Sequence, residues 1–576
     1  MIEGESNVEA IVRYHERSTH RPGRFAPGPG HLDWANQPEP FRSYKGAPVV
    51  ELPLCSEALT AIWAELHRPG DVAPRSLDHG TLGAFLELAL GLTAWKEAGA
   101  SRWALRANPS SGNLHPTEGY VLVADAPGLP SGVSHYRSVD HVLERRVSLG
   151  SAATSRLAGW LPECGFLVGL ASIHWREAWK YGERAFRYCQ HDAGHALATV
   201  RYAAAVLGWS ARVLDVPGDE DVAAVLGLDR DDDDGTLASA DREHPDALVL
   251  VAPAPLEIEA VRRLEGALDE MIVLLRQGEW TGQPNTLSLE HVEWPEIDEA
   301  AHATRKPRTP DAVAKTAPSP VAAAPVKQQA HAVSLIRARR SAVAMDGVTS
   351  MPSAAFFETM WRLLPRQGVP PWDVLPWTPR VHPVLFVHRV PDLPPGLYVL
   401  QRDPSAHEAL REAMRKDLRW ERPEAAPEGL PLFLLEEGDA RSFARFASCQ
   451  QAIASESAFS LGMLSLFEES LEGGAWWYRR LFWETGVLGQ VLYMEAEALG
   501  FRGTGIGCYF DDVVHETLGL HSRRFRDLYH FTIGGPVEDT RLATRPAYAE
   551  SVHGRGQPEG SPRSEATGTS KMKRDP

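Results

Sequence analysis

Cysteine is scarce in this chain of 576 residues, which holds only five. They are Cys55, Cys164, Cys189, Cys449 and Cys508, an odd number with no closely spaced pair. This spacing argues against both a disulfide framework and a zinc site. It also predicts a reducing compartment, which we take to be the cytoplasm.

Long apolar runs and an excess of positive charge are also missing. No stretch of about 18 consecutive apolar residues occurs, so we expect no membrane-spanning segment. The acidic N-terminus lacks the apolar core of a signal peptide. The chain has 59 Lys and Arg against 76 Asp and Glu, a formal charge of −17, which disfavours nucleic acid as the main partner. A local basic pocket for a phosphate is compatible with that charge.

The chain is too long for one ordinary domain, and its composition divides it in two. A Pro/Ala-rich stretch at residues 309–325 lies inside a predicted linker that covers residues 281–332. We predict one domain over residues 1–280 and a second over residues 333–550. The Gly, Ser, Arg and Lys of residues 551–576 are typical of a disordered tail.

The two predicted domains look like copies of one another. A strand followed by a Pro/Gly turn occurs at residues 122–133 and again at residues 386–397. A long predicted helix passes through Gly194 and ends at Leu-Gly-Trp. Its counterpart passes through Gly486 and ends at Leu-Gly-Phe, with the glycine as the C-cap in both. Strands mix with helices without strict alternation, so the fold class is α+β, a mixed sheet flanked by helices, present twice.

The most informative stretch is residues 109–118, Pro-Ser-Ser-Gly-Asn-Leu-His-Pro-Thr-Glu. Its Pro-Ser-Ser-Gly turn frees backbone N–H groups and small hydroxyls at one point, and Asn113 adds a donor and an acceptor. This combination suits the polar edge of a planar heterocycle such as a flavin. Taken alone, the stretch also fits a helix-to-strand connection rich in turn-forming residues.

Together with six other stretches, this loop resembles the nitroreductase superfamily. The other stretches are residues 14–20, 32–42, 180–188, 192–195, 503–512 and 534–541. The resemblance is closest to the SagB/ThcOx-type dehydrogenases, which oxidise thiazolines and oxazolines in peptides to thiazoles and oxazoles. It implies FMN as the cofactor, bound at a subunit interface. Two fused copies would then form an intramolecular pseudo-dimer, with the chain as a monomer or a higher oligomer.

The motifs that the resemblance identifies are divided unequally between the copies. Residues 373–382 correspond to the loop of the first copy but lack its Ser-Ser and Asn, and residues 211–215 correspond to the glycine run of the second copy but contain no glycine. We therefore predict one intact FMN site assembled across both copies and one decayed site. The predicted cofactor-binding residues are Pro109, Ser110, Ser111, Asn113, Arg339, Arg340, Ser341, Gly503, Gly505, Ile506, Gly507 and Arg541.

Each of these groups has an expected role. Arg339-Arg340-Ser341 resembles the family's phosphate-binding Arg-Arg-Ser, so Arg340 and Arg541 would neutralise the FMN phosphate while Ser341 donates its hydroxyl. The glycine run would let the backbone approach a planar ring without a Cβ in the way. Alone, the arginines also fit a solvated helix start, and the glycines also fit a Gly-rich connection.

Lys180 and Tyr181 are the predicted catalytic residues. The resemblance implies that Tyr181, assisted by Lys180, removes a proton from the azoline ring while hydride passes to FMN, which dioxygen reoxidises. A lysine desolvated near a flavin can have its pKa lowered enough to act as a base. Lys180 considered alone equally fits a solvent-facing lysine at a helix start.

The expected function is thus FMN-dependent dehydrogenation of azoline rings in a modified peptide or a related small molecule. The sequence leaves open whether a cyclodehydratase partner is needed. Two alternatives also stay open. One is an NAD(P)H-dependent reductase of nitro or quinone compounds, and the other is a non-catalytic scaffold in a biosynthetic complex.

Overall fold

The two halves of the chain each build an antiparallel sheet, and the two sheets have the same strand order. The computed structural model describes residues 5–230, 237–310 and 329–548. In this part of the chain, the first sheet has seven strands, in spatial order Ser210–Val213, His244–Ala252, Phe166–Ser172, Thr117–Val123, Gly132–Arg137, Val142–Arg145 and Val49–Glu51. The second has six, in the corresponding order Arg502–Ile506, Phe525–Gly534, Phe459–Leu466, Val381–Val387, Gly396–Leu400 and Leu432–Glu437.

The burial of the middle strands explains why their sequences are continuous apolar runs. Every residue of Phe166–Ser172 and of Thr117–Val123 is buried, as is every residue of Val381–Val387. Strands covered on both faces do not alternate polar and apolar side chains. The edge strand Val49–Glu51 is the contrasting case, with largely exposed residues.

Helices flank both sheets, and the expected α+β class is confirmed, although the described strands of each sheet pair antiparallel throughout instead of forming the expected mixed sheet. In the first half they are Asn7–Arg17, Trp63–Leu66, His79–Ala89, Ser151–Trp160, His174–Tyr181, Ala185–Val206, Asp219–Leu226, Ile258–Gly266, Leu268–Arg276 and Pro295–Ala303. In the second half they are Ala332–Ala338, Ser353–Arg362, His407–Ala413, Arg441–Ala447, Ile453–Glu456, Phe467–Leu471, Trp477–Ala498 and Val513–Leu518.

Two of these helices, which we call the central helices, are equivalent in length and in the way they end. Ala185–Val206 and Trp477–Ala498 each have 22 residues. The first is followed by Gly208 at φ 72° and the second by Gly500 at φ 79°, the left-handed region that favours glycine. Both ends are Schellman motifs, in which the next aromatic N–H, of Trp209 or Phe501, reaches back to a helix carbonyl at 2.8 Å. The predicted Gly C-caps are confirmed.

The central helices cross at the tenth residue of each, Gly194 and Gly486. A Cβ on Gly194 would stand 2.3 Å from the carbonyl oxygen of Trp483, and a Cβ on Gly486 would stand 2.3 Å from that of His191. Backbone therefore packs directly on backbone at this point, which only glycine allows. The largest buried apolar cluster contains side chains of both halves, so the two sheets share one core across the crossing.

A third, smaller sheet ties the C-terminal part of the chain back to the first half. Its strand order is Ala543–Arg545, Leu92–Ala98, Ser101–Arg106, so a strand from beyond the second sheet pairs with a hairpin of the first half. Tyr548, which follows, donates its hydroxyl to the Ser138 carbonyl at 3.0 Å. Two short two-stranded pairs complete the strands, Tyr44–Lys45 with Gln283–Pro284 and Val147–Ser148 with Glu279–Trp280.

The stretch predicted as linker, residues 281–332, starts with ordered structure. Helix Pro295–Ala303 buries Ile297 and Ala300, and the N–H of Thr309 bonds to the Val216 carbonyl at 3.0 Å. The first half is therefore packed as far as about residue 310, beyond the predicted boundary at 280. Most of the Pro/Ala-rich segment (311–328) and the predicted tail lie outside the described residues.

Within the described ranges, none of the helices combines the length and the apolar character that crossing a bilayer requires.

The helix crossing predicts a sharp difference between two Gly→Ala changes. Gly194→Ala should lower the free energy of unfolding by about 1–3 kcal/mol, because its Cβ meets backbone that cannot rotate away. Gly159→Ala, inside helix Ser151–Trp160 with no atom within 4 Å of the added Cβ, should be neutral or raise it by up to about 1 kcal/mol. Chemical denaturation of both variants measures this; equal stability of Gly194→Ala and wild type would contradict the crossing.

Candidate active site

A cavity of about 350 Å³ opens between the two halves of the chain. The first half contributes the loop that includes Ser111 and two residues of its central helix, Asp192 and His195. The second half contributes Tyr493 from its own central helix and Tyr529 from its sheet. The predicted site residues that line this cavity are Pro109, Ser110, Ser111, Asn113, Arg339, Arg340, Ser341, Gly505 and Gly507. Two motifs that are more than 200 residues apart in sequence therefore meet at one place.

The loop at residues 109–113 is held by the first central helix. Asp192 accepts the Ser111 backbone N–H at 3.2 Å and the Ser111 hydroxyl at 3.3 Å. The Ser110 hydroxyl accepts the N–H of His115 at 2.8 Å. Gly112 has φ 63° and Asn113 φ 56°, so the chain turns back within the loop. These bonds hold the loop in one conformation.

Two buried carboxyls lie beneath this loop. Burial raises the pKa of Asp192 to about 7. Burial, followed by the repulsion of Asp192, raises the pKa of Glu177 well above its ordinary value. Ser110 donates to Glu177 only weakly, at 3.4 Å. The floor of the cavity therefore carries less negative charge at neutral pH than two ordinary carboxylates would.

The Arg339–Arg340 pair forms a crowded cationic wall of the cavity. Burial, followed by the repulsion of Arg339 and Arg502, lowers the pKa of Arg340 to about 10. Burial also lowers the pKa of Arg339, whose Nε lacks a hydrogen-bond partner in the described structure. Lys96, on the same wall, has its pKa lowered by burial and by Arg340. Buried cations that repel each other favour an anionic ligand between them.

Ser341 connects this wall to the glycine run. The Ala342 N–H bonds to the Gly503 carbonyl at 3.1 Å, and Ser341 pairs in parallel with Gly503. The Ser341 hydroxyl lies 2.8 Å from the Tyr493 hydroxyl, which in turn accepts the N–H of Gly505 at 3.0 Å. The motif after helix Ala332–Ala338 is thus aligned with the edge strand Arg502–Ile506 of the second sheet.

The glycines of the run at residues 503–507 pack against aromatic side chains, and their expected approach to a flavin stays a prediction. A Cβ on Gly505 would stand 1.9 Å from the Tyr529 hydroxyl, and one on Gly507 would stand 2.4 Å from the Tyr188 ring. A Cβ on Gly503 would meet the Phe531 ring at 2.7 Å. The glycines therefore make room for aromatic side chains of the protein itself. Gly503 and Ile506 are buried and are not among the described residues that line the cavity.

Arg541 stands apart from the wall. Its side chain is 86% exposed and pairs with Asp539 at 2.7 Å. Among the described residues it is not part of the cavity lining, although its neighbours Asp539 and Leu542 are. Its expected contact with a phosphate stays a prediction.

Lys180 and Tyr181 lie beside the loop, although they are not among the described residues that line the cavity. A Cβ on Gly112 would stand 2.7 Å from the Tyr181 hydroxyl and 3.0 Å from Lys180 Nζ. The ammonium lies 5.3 Å from the centre of the Tyr181 ring. Burial and the neighbouring Glu177 raise the pKa of Tyr181 well above its ordinary value, so the phenol is un-ionised at neutral pH.

Sequence reasoning missed several residues that complete the cavity. Asp192 and His195 belong to residues 192–195, one of the stretches that carry the family resemblance. The sequence pattern gives no indication that their side chains face the loop. No sequence pattern predicts that Tyr493 and Tyr529 line a cavity. One lies on a helix and the other on a strand, and their neighbours are determined only by the packing of the two halves.

The corresponding place in the other half is filled by protein side chains. Glu484, like Asp192, is the eighth residue of its central helix, and it accepts the N–H of Arg380 at 2.9 Å from the segment leading into the equivalent strand. Trp377 in that segment packs on the Arg480 guanidinium at 4.4 Å. Arg201, the counterpart of Tyr493, binds Asp373 at 2.7 Å. These side chains contact one another at the place equivalent to the cavity, although Trp377 Nε1, Arg380 Nε and Arg480 Nε have no hydrogen-bond partner in the described structure.

Comparison with known proteins agrees with this arrangement. Residues 72–238 match the model of the Nitroreductase family. The chain is 35% identical over 139 residues to the trifolitoxin-processing protein TfxB of Rhizobium leguminosarum bv. trifolii, covering 22% of this chain and 36% of that protein. It is 30% identical over 104 residues to a putative nitroreductase of Methanocaldococcus jannaschii, covering 17% of this chain and 52% of that protein. The matches thus span only about a third to a half of these relatives.

The solved structure of a putative nitroreductase from Anabaena variabilis matches nearly the whole chain. The TM-score is 0.63 at 20% identity, over 92% of this chain and 99% of that one. The match to the Nitroreductase family model is confined to residues 72–238, and the chain as a whole shares the fold of this solved structure.

Proposed function

We propose that this protein is an FMN-dependent oxidoreductase that dehydrogenates azoline rings in a modified peptide or a related small molecule. The observation that carries the proposal is the convergence of Tyr181 and Lys180 on Gly112, inside the loop that faces the cavity. The similarity to a trifolitoxin-processing protein supports a peptide substrate. A cyclodehydratase that forms the azoline is the partner this chemistry would require upstream.

The cavity residues fit FMN on charge and on donor chemistry. The cationic wall would hold the phosphate, with the unpartnered Nε of Arg339, the guanidinium of Arg340 and the hydroxyl of Ser341 as donors. Ser110 and Asn113 would present hydroxyl and amide groups to the polar edge of the ring system. Asp192 holds the loop in place for this contact.

Bound FMN supplies the acceptor for the hydride that leaves the azoline ring. The residues of the chain handle the proton. Tyr181 would first lose its phenol proton to solvent and, as the phenolate, take the proton from the ring carbon; its raised pKa makes that phenolate a strong base. The positive charge of Lys180 near the ring favours the ionised phenol that this step needs.

Replacement of Arg340 tests the cofactor assignment. Arg340→Ala should weaken FMN binding by roughly 10- to 100-fold, because one charge-assisted contact to a phosphate contributes about 1.5–3 kcal/mol. Fluorescence titration of the apoprotein with FMN measures the dissociation constant. An unchanged constant would remove the cationic wall from the site.

The same FMN titration is carried out on Arg541→Ala, with Arg441→Ala as the matched control. Arg441 pairs with Asp439 in the same way that Arg541 pairs with Asp539, through an arginine two residues after the aspartate. Binding weaker in Arg541→Ala than in Arg441→Ala would make Arg541 a phosphate ligand, and equal binding would exclude it.

Replacement of Tyr181 tests the chemistry. Tyr181→Phe should keep FMN bound and slow the reduction of the flavin by an azoline peptide by about 10²–10⁴-fold, the usual contribution of a general base. The measurement is anaerobic stopped-flow absorbance in single turnover. Tyr202→Phe is the control, because the Tyr202 hydroxyl is buried without a hydrogen-bond partner in the described structure.

Three outcomes would contradict the proposal. Reduction of Tyr181→Phe at the wild-type rate would exclude Tyr181 as the base. Rapid reduction by NADPH, unaffected by the Tyr181 and Lys180 changes and with no reaction of the azoline peptide, would support the nitro or quinone reductase instead, since that hydride transfer needs no protein base. Protein that binds no FMN would support the scaffold.

A further inference from the structure

The fold brings together two cysteines that are far apart in sequence. The thiols of Cys449 and Cys508 lie close enough for each to shift the pKa of the other. Both residues are partly exposed, and neither is in a disulfide. The sequence showed no closely spaced pair, so this contact is a product of the tertiary structure alone.

Hydrogen bonds on both sides of Cys449 hold its segment against the segment that contains Cys508. The Phe510 N–H bonds to the Ala447 carbonyl at 2.8 Å, and the Gln451 side chain bonds to the Cys508 carbonyl at 2.9 Å. Ala447 and Gln451, which lie on either side of Cys449, thus both bond to the segment that contains Cys508.

Cys508 is the more nucleophilic of the two thiols. The hydrogen bond from Cys449, followed by that from His20, lowers the pKa of Cys508 to about 5, while the pKa of Cys449 is raised. His20 Nδ1 accepts the N–H of Ala26 at 2.9 Å, and burial lowers the pKa of the ring. The neutral imidazole therefore keeps its proton on Nε2, from which it can donate to Cys508. A thiolate at neutral pH is the reactive form of cysteine.

The pair lies at the edge of the candidate active site. Cys508 directly follows Gly507, which lines the cavity and whose carbonyl accepts the Arg184 guanidinium at 3.2 Å. No role in the proposed dehydrogenation uses either thiol, so the pair calls for a separate explanation.

We propose that Cys508 and Cys449 are a reversible dithiol–disulfide couple that exchanges with low-molecular-weight disulfides such as glutathione disulfide. The Cys508 thiolate attacks one sulfur of the small disulfide, whose S–S bond breaks and releases one thiolate. Cys449 then loses its proton to solvent and attacks the Cys508 sulfur, which releases the second small thiol. Two electrons pass from the protein dithiol to one small disulfide, which becomes two thiols.

The test follows the mass of the reduced full-length chain during incubation with glutathione disulfide. We expect the wild type to lose two hydrogens without retaining glutathione, to give a cross-linked Cys449–Cys508 peptide on digestion, and to revert with dithiothreitol. Cys449→Ser should retain one glutathione on Cys508, since no second thiol resolves the mixed disulfide. In Cys508→Ser the thiol at position 449 should react at least roughly tenfold more slowly than Cys508 does in Cys449→Ser.

The exposed Cys164 is the internal reference in the same molecule. Cys508 in Cys449→Ser should be modified roughly tenfold faster than Cys164 or more. A wild-type chain that keeps glutathione on Cys508 without the internal disulfide, or a Cys508 no faster than Cys164, would overturn the proposal. Because the wild-type result needs no variant and no turnover, it stands independently of the proposed dehydrogenase activity.

Discussion

The contact between the two central helices at Gly194 and Gly486 is the constraint on which the rest of the structure depends. The two backbones meet there without side chains between them, at the same position of each helix. This closeness brings Asp192 and His195 of one helix to the same cavity as Tyr493 of the other. A side chain at either glycine would separate the halves and, with them, the loop from the cationic wall.

The two halves have the same fold, but the cavity and the position equivalent to it in the other half differ in their side chains. On one side, Asp192 holds a polar loop at the cavity, and Arg339 and Arg340 line it, the Nε of Arg339 without a hydrogen-bond partner in the described structure. On the other side, Glu484 holds the equivalent segment, but tryptophans and the Arg201–Asp373 ion pair close it. The chain is acidic overall, so the cationic wall is a local feature built from a few side chains rather than a reflection of composition.

Much of the fold and part of the site could be read from the sequence. The apolar strand runs, the Leu-Gly-aromatic helix ends and the unequal distribution of motifs are local signals, and the structure bears out the strands and the caps. The reason for the glycines in Arg502–Ile506 could not be read, because it lies in Tyr529 and Phe531 on a neighbouring strand. The order of residues 281–310 was missed because a short helix with few apolar residues gives a weak pattern. The Cys449–Cys508 contact depends on tertiary packing and leaves no trace in spacing.

The stoichiometry of FMN tests the central claim, that one site is assembled across the helix crossing, most directly. Apoprotein at known concentration is titrated with FMN under tight-binding conditions, and the equivalence point is read from the quenching of flavin fluorescence. The account predicts one FMN per chain. An equivalence point of two would show that the place closed by Trp377 and Arg480 also binds flavin, and the absence of binding would contradict the site altogether.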